Sequence, residues 1–272
     1  MSGANAVTGG EKPLRMGDLL RAAVAGLVRA WVEGWAAILV CAAVWSLRPF
    51  IGAGGQVWGW NLAAVVATLM LTGALARIAI SPDAEAAKRL GLGPRGLQLG
   101  LTEARLLGAF LLCAVFLAMI LSVAALALLA VFGMAGLDAE AIRMRDWSNV
   151  GPVWKLVLLA LLTVFAFYAV VVMVVRLSLF APATVGRGQM TSLNGMGITR
   201  GYLRPLLAGL VVTAAPKIGL LVLTGAGLIS GSAGWVVWAV VLNGLQAPLT
   251  MAYLGAAYRR LEHWTPQGQA DG

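Results

Sequence analysis

Charge is what this chain has least of. Only 11% of its 272 residues are Asp, Glu, Lys or Arg, against about 25% in a typical soluble domain. A soluble protein of this length could bury a large core, but so few charges could not cover its surface. A bilayer removes the difficulty, and the 60% apolar content agrees with one. Histidine is nearly missing: His263 stands alone, among Arg259, Arg260 and Glu262. One imidazole in such company reads as a solvated neighbour of lipid headgroups, not a general base. The 11 carboxylates are scattered over loops and termini with no pair on one helix face. Hydrolysis would need an activated nucleophile or a metal. No catalytic residue, metal site or cofactor is therefore expected.

Cysteine is also scarce. Cys41 and Cys113 both lie inside apolar runs and form no C-x-x-C or Cys/His spacing, so both are expected to act as small hydrophobes. The opening Met1 to Lys12 is polar and glycine-containing, and an amphipathic stretch follows it. That order lacks the apolar core and cleavage site of a secretory signal, and no cleaved signal peptide is expected.

Long apolar runs are what the chain does have. A helix needs about 20 apolar residues to cross the hydrocarbon core. Six segments qualify, near 30–47, 57–79, 106–132, 154–175, 206–228 and 235–257. The expected fold is an all-α polytopic membrane bundle of six transmembrane helices, arranged as three helical hairpins with interfacial helices on the cytoplasmic side. The membrane domain covers 14–264, with flexible cytoplasmic tails at 1–13 and 265–272.

The formal charge of +9 invites a nucleic-acid partner. The cations, however, sit between apolar runs instead of forming one patch, so they belong to topology and no nucleic acid is expected. With the N-terminus placed inside, 15 of the 20 lysines and arginines fall in inner segments and 4 in outer ones, Lys217 being intramembrane. That bias predicts a multi-pass protein of a bacterial inner membrane with both termini cytoplasmic. The aromatics agree. Trp45, Trp58, Trp60, Trp147, Trp154, Trp235 and Trp238 fall at expected outer ends, while Trp31, Trp35, Trp264, Tyr202 and Tyr258 fall near inner ends, where amphipathic rings prefer the headgroup level.

Two hairpins resemble one another. Arg77-Ile78-Ala79-Ile80-Ser81-Pro82 closes the second span, and Arg176-Leu177-Ser178-Leu179-Phe180-Ala181-Pro182 closes the fourth. Arg77 to Arg105 and Arg176 to Arg204 are both 28 residues apart, and each second arginine opens a new span. Hairpins repeated in one orientation relate by an axis along the membrane normal; chance similarity of two hydrophobic hairpins remains an alternative. Ahead of the first span, Met16 to Val28 reads either as an amphipathic helix lying along the inner leaflet, with Leu19, Leu20, Ala23 and Leu27 on one face, or as a continuation of that span. The loop helices before spans three and five are expected to lie at the interface likewise.

Gly91-Leu92-Gly93-Pro94-Arg95-Gly96 matches the G-x-G-x-x-G pattern. No strand precedes it and it contains a proline, so the dinucleotide reading fails and a flexible loop is expected. Lys217 is the residue most exposed to a functional reading. It follows Pro216 halfway along the fifth span, where an ammonium costs about 2.5–3.5 kcal/mol on insertion scales. Asn243 and Gln246 lie three apart on the sixth span near the same depth, with Thr250 a turn further and Pro248 between them. Together they form a candidate polar intramembrane site for a lipid headgroup or an anionic solute. The alternative is interhelical hydrogen bonding by the two amides while Lys217 snorkels or serves the carbonyl that Pro216 frees. Arg77, Arg176 and Arg204 are candidate lipid-headgroup contacts, placed at inner helix ends where a cation complements the last carbonyls and attracts phosphate. Arg29 and Glu33 lie one turn apart and are expected to pair. Ala252 and Ala256 permit close helix packing.

Arg176 to Val185, then Gly197-Ile198-Thr199-Arg200-Gly201-Tyr202-Leu203-Arg204, together with the opening Met16-Gly17-Asp18-Leu19-Leu20-Arg21, carry a family resemblance. They resemble the bacterial membrane domain found attached to some glycerophosphoryl diester phosphodiesterases and also as stand-alone proteins. The resemblance implies a helical membrane module over most of 14–264. The family's phosphodiesterase chemistry belongs to a separate soluble barrel, for which this chain has no room, so no catalytic residue carries over. The expected function is a non-catalytic module that organises membrane lipids or partner proteins, with a protein partner or a homo-oligomer left open. The alternative is a transporter or permease using Lys217, Asn243 and Gln246.

Overall fold

A computed structural model describes residues 16–52, 54–144, 146, 150–191 and 202–261. The two expected tails, His263, Trp147 and Trp264 lie outside the described residues. All regular structure among the described residues is helical: α1 (Met16–Ser46), α2 (Gly55–Ile80), α3 (Ala84–Arg89), α4 (Leu101–Met134), α5 (Ala139–Arg143), α6 (Val153–Leu177), α7 (Phe180–Arg187), α8 (Leu203–Thr213), α9 (Ala215–Gly225), α10 (Gly231–Val241) and α11 (Ala247–Leu261). Five helical stretches are long and apolar enough to cross a membrane, and a sixth joins them if α8 and α9, bent by 47° at their break, count as one span.

The centre of the bundle is a trio. α1 packs on α2 and on α11, and α2 also packs on α11. Small residues set how closely these helices approach. A Cβ on Gly26 would fall 2.6 Å from that of Ala252, and one on Gly255 would fall 2.5 Å from that of Ala79. The backbones approach closely at these points because only a glycine hydrogen and an alanine methyl lie between them. Ala252 and Ala256 are thus used inside this chain, at 6% and 3% exposure.

The helix that begins at Met16 continues past Val28 without a break as far as Gly34, so the 16–28 stretch is not a separate helix lying apart from the first span. Leu19 and Ala23 are fully buried among Tyr253, Tyr258 and their neighbours, not laid on a surface. The helix bends instead at Gly34, whose φ and ψ are −120° and 15°. The cause sits opposite. The turn Pro94–Gly96 docks against α1, and a Cβ on Gly96 would meet the Gly34 Cα at 3.0 Å and the Ala74 Cβ at 3.4 Å. Gly91 and Gly96, at φ 86° and 85°, adopt the left-handed backbone that glycine tolerates. The G-x-G-x-x-G stretch is therefore a packed turn between α1 and α2, not the flexible loop expected. Arg95 lies over the Trp35 ring at 5.4 Å.

α4 and α6 form a second hairpin beside the trio, joined to it through α7. Lys155 donates from Nζ to the Ala135 carbonyl at 2.8 Å, capping the end of α4. The expectation of interfacial loop helices is corrected at α7: Ala181 to Gly186 are all buried, because this short helix wedges between α2, α4 and α11. Tyr258, near the end of α11, is fully buried within the protein.

The two ends of the bundle differ in chemistry. At one end Trp45 and Trp60 meet edge to face at 5.3 Å, and Trp235 donates to the Trp45 carbonyl at 2.7 Å. At the other end Arg29, Arg77 and Arg259 gather around the last turn of α2. These are called the tryptophan end and the basic end below.

Candidate functional site

Proline decides the middle of the sixth apolar segment. Between α10 and α11, Leu242–Gln246 winds as a π-helix. Pro248 has no amide hydrogen to give the carbonyl four residues back, that of Gly244. The Trp31 indole takes that place, its Nε1 2.8 Å from the Gly244 oxygen. A wider turn also moves residues three apart off a common face, which the expected pairing of Asn243 with Gln246 assumed.

The expected polar site is accordingly dispersed. Asn243 faces α1: its Oδ1 accepts from Cys41 Sγ at 3.2 Å, and its Nδ2 donates to the Ala239 carbonyl at 2.8 Å. Cys41 is thus a weak donor as well as a small buried group. Among the described residues the buried Gln246 Oε1 has no hydrogen-bond partner, and neither does the Thr250 hydroxyl. Lys217 is exposed on the first turn of α9. Among the described residues no hydrogen bond or ion pair joins it to either amide. The helix break falls at Ala214 with Pro216 in the first turn of α9, so the proline sits at the start of a new helix. A cavity of about 480 Å³ does adjoin Asn243, but tryptophans and aliphatics line it, with Trp45, Thr68, Trp235 and Trp238 at its walls.

The three candidate headgroup arginines part ways. Arg77 is 2% exposed. Its Nη1 lies 2.6 Å from Glu103 Oε1, and its Nε donates to the Leu90 carbonyl at 2.9 Å. A guanidinium so enclosed is a link between α2, the following loop and α4, and the lipid-contact expectation is corrected for it. Gly73 makes the room, since a Cβ there would meet Glu103 Oε1 at 2.6 Å. In the hairpin that resembles this one, Tyr202 stands 26 residues after Arg176, where Arg77 has Glu103. Arg176 accordingly has no carboxylate at that position, and its Nε is buried with no hydrogen-bond partner among the described residues. Arg204 is exposed.

A second cluster was not expected from the sequence. Arg29 and Arg259, from the first and last described long helices, converge on the end of α2. Arg29 Nη1 donates to the carbonyls of Ser81 and Pro82 at 2.9 and 3.2 Å. Arg259 Nη1 donates to those of Ala79 and Ser81 at 2.7 and 3.2 Å. Two guanidiniums therefore share one carbonyl oxygen. Both also line a cavity of about 170 Å³ whose other walls are small and apolar, among them Ala22, Gly26, Ile78 and Ala252. Carbonyls at a helix C-terminus attract cations, which explains one arginine there more readily than two. The expected Arg29–Glu33 pair is present, Nε to Oε1 at 3.1 Å. Beyond Glu33 opens a further cavity of about 460 Å³, lined also by Lys88, Gly93, Pro94 and Arg95.

No family model, curated protein or solved structure matches the chain. What could have signalled the cluster is the spacing of Arg29 and Glu33 by one helical turn; nothing local tied Arg259 to them.

Proposed function

We propose that the chain is a non-catalytic integral membrane module that organises phospholipid at the cytoplasmic leaflet of a bacterial inner membrane. In this reading six spans form three hairpins, both termini are cytoplasmic, and the basic end faces the inner leaflet. The excess of lysine and arginine in the segments assigned inside supports that orientation, and the family resemblance points to the same class of module.

One observation carries the lipid reading: Arg29 and Arg259 share the Ser81 carbonyl and line one cavity. Among the described residues their mutual repulsion is offset by the carbonyls at the end of α2 and by Glu33, which pairs with Arg29. An anion beside them would complete the balance, and lipid phosphate is the anion abundant at that depth. Apolar walls beside the guanidiniums suit the start of acyl chains.

The test is the phospholipid that stays with the protein purified in mild detergent, measured by intact-complex mass. Wild type retains bound phospholipid, and Arg29→Gln/Arg259→Gln, eluting as a monodisperse species, retains several-fold less. Equal retention by the two would overturn the proposal. The transporter alternative draws less support, because Lys217 is exposed and apart from Asn243 and Gln246.

A further inference from the structure

Polar side-chain atoms buried in a protein almost always find a partner, so a cluster of them without one points to something that belongs there. Three such atoms lie together at the basic end. Arg29 Nη2, Glu33 Oε2 and Ser81 Oγ are all buried with no hydrogen bond to the described residues, and Ser81 as a whole has 0% exposure. The Arg29–Glu33 ion pair and the Arg29 bond to the Ser81 carbonyl hold the three residues in contact. The open groups are of different kinds: one cationic donor, one anionic acceptor, and one hydroxyl that is either.

That mixture selects a ligand. A simple anion would meet the free oxygen of Glu33 as well as the arginines. A simple cation would meet Arg29 and Arg259, and, in the cavity that Glu33 lines, Lys88 and Arg95. A group with a phosphate and a primary ammonium two carbons apart satisfies both, with the phosphate toward Arg29 and Arg259 and the ammonium toward Glu33 and the Ser81 hydroxyl. The two cavities, about 170 and 460 Å³, far exceed the roughly 30 Å³ share of one water. Resting on the phospholipid reading above, we infer that the site recognises a phosphoethanolamine zwitterion, most directly as the headgroup of an aminophospholipid.

The experiment compares full-length protein in detergent micelles doped with either phosphatidylethanolamine or phosphatidylglycerol, scoring retained lipid by intact-complex mass. A charge-assisted hydrogen bond of the usual strength predicts a preference of about tenfold for the ethanolamine lipid. Glu33→Gln keeps the shape, removes the charge and brings the ratio to about one while phospholipid is still retained. Should that variant misfold, Ser81→Ala removes only the hydroxyl and lowers the ratio. Soluble O-phosphoethanolamine separates the sources: raised thermal stability assigns recognition to the free headgroup, and no shift with the lipid preference intact assigns it to the lipid. Equal retention of both lipids by wild type overturns the inference, leaving the open atoms to ordered water and the phospholipid reading standing. Retention of neither lipid overturns that reading as well.

Discussion

Gly209 gives way to Tyr253. A Cβ at position 209 would overlap the tyrosine ring, and the ring is fixed there because its hydroxyl donates to the Pro205 carbonyl at 2.6 Å. Pro205 and Gly209 are one turn apart on α8, so one face of that helix is shaped around a single buried side chain of α11. Gly209→Ala should therefore destabilise the protein by about 1–3 kcal/mol or more, the usual cost of overpacking. Gly219→Ala on α9, where nothing lies within 4 Å, is the matched control and should be neutral or slightly stabilising. Unfolding of both variants in detergent decides it, and equal stabilities would contradict the packing described.

The Trp31 bond to Gly244 makes a prediction with a built-in check. Trp31→Phe keeps an aromatic ring but leaves the Gly244 carbonyl without its donor, at a cost of about 1–3 kcal/mol for an unsatisfied buried group. Pro248→Ala returns an amide hydrogen one turn away. In that background Trp31→Phe should cost less, and a double-mutant cycle should report positive coupling. Additive effects would mean that the indole and the missing amide are unrelated.

Arg77 and Glu103 stand 26 residues apart and are 2% and 3% exposed. Removing one member of such a pair strands the other charge, and Glu103→Ala should cost about 3–5 kcal/mol. Replacing both, as Arg77→Met/Glu103→Leu, should recover most of that loss. Chemical unfolding in detergent checks the order, and a double variant as unstable as the single one would refute it.

These cases show where the sequence was legible. Hydropathy located the long helices to within a few residues at most ends, because a bilayer demands length and apolarity and little else. The exception is α1, which begins at Met16: its polar first turns are stabilised by packing on α11, a partner more than 200 residues away. The Arg29–Glu33 pair was readable from spacing alone. Arg77 was not, since the arginine gives no hint that Glu103 and the room beside Gly73 await it. The turn at Gly91–Gly96 misled for a related reason. Its glycines looked like freedom, yet they permit contact with Gly34. Asn243 and Gln246 were placed on one face by α-helical spacing, and Pro248 with the π-helical turn changed the angle between them.

Lys217 supplies the sharpest separation of the two functional readings. It is exposed on α9, is held by no ion pair among the described residues, and lies apart from the arginine cluster that lines the basic-end cavity. Snorkelling alone accounts for a lysine in that setting, its aliphatic stem lying along the helix and its ammonium reaching polar surroundings. Lys217→Met should then change stability by no more than about 0.5 kcal/mol, as for other exposed positions, and should leave phospholipid retention as in wild type. A permease that used this ammonium to bind an anionic solute would behave otherwise, losing uptake in vesicles while its folding and its bound lipid stayed intact. Measuring retained lipid and vesicle uptake on the same variant therefore sets the readings against each other. Uptake by wild type that vanishes in Lys217→Met would move the functional centre from the end of α2 to the start of α9.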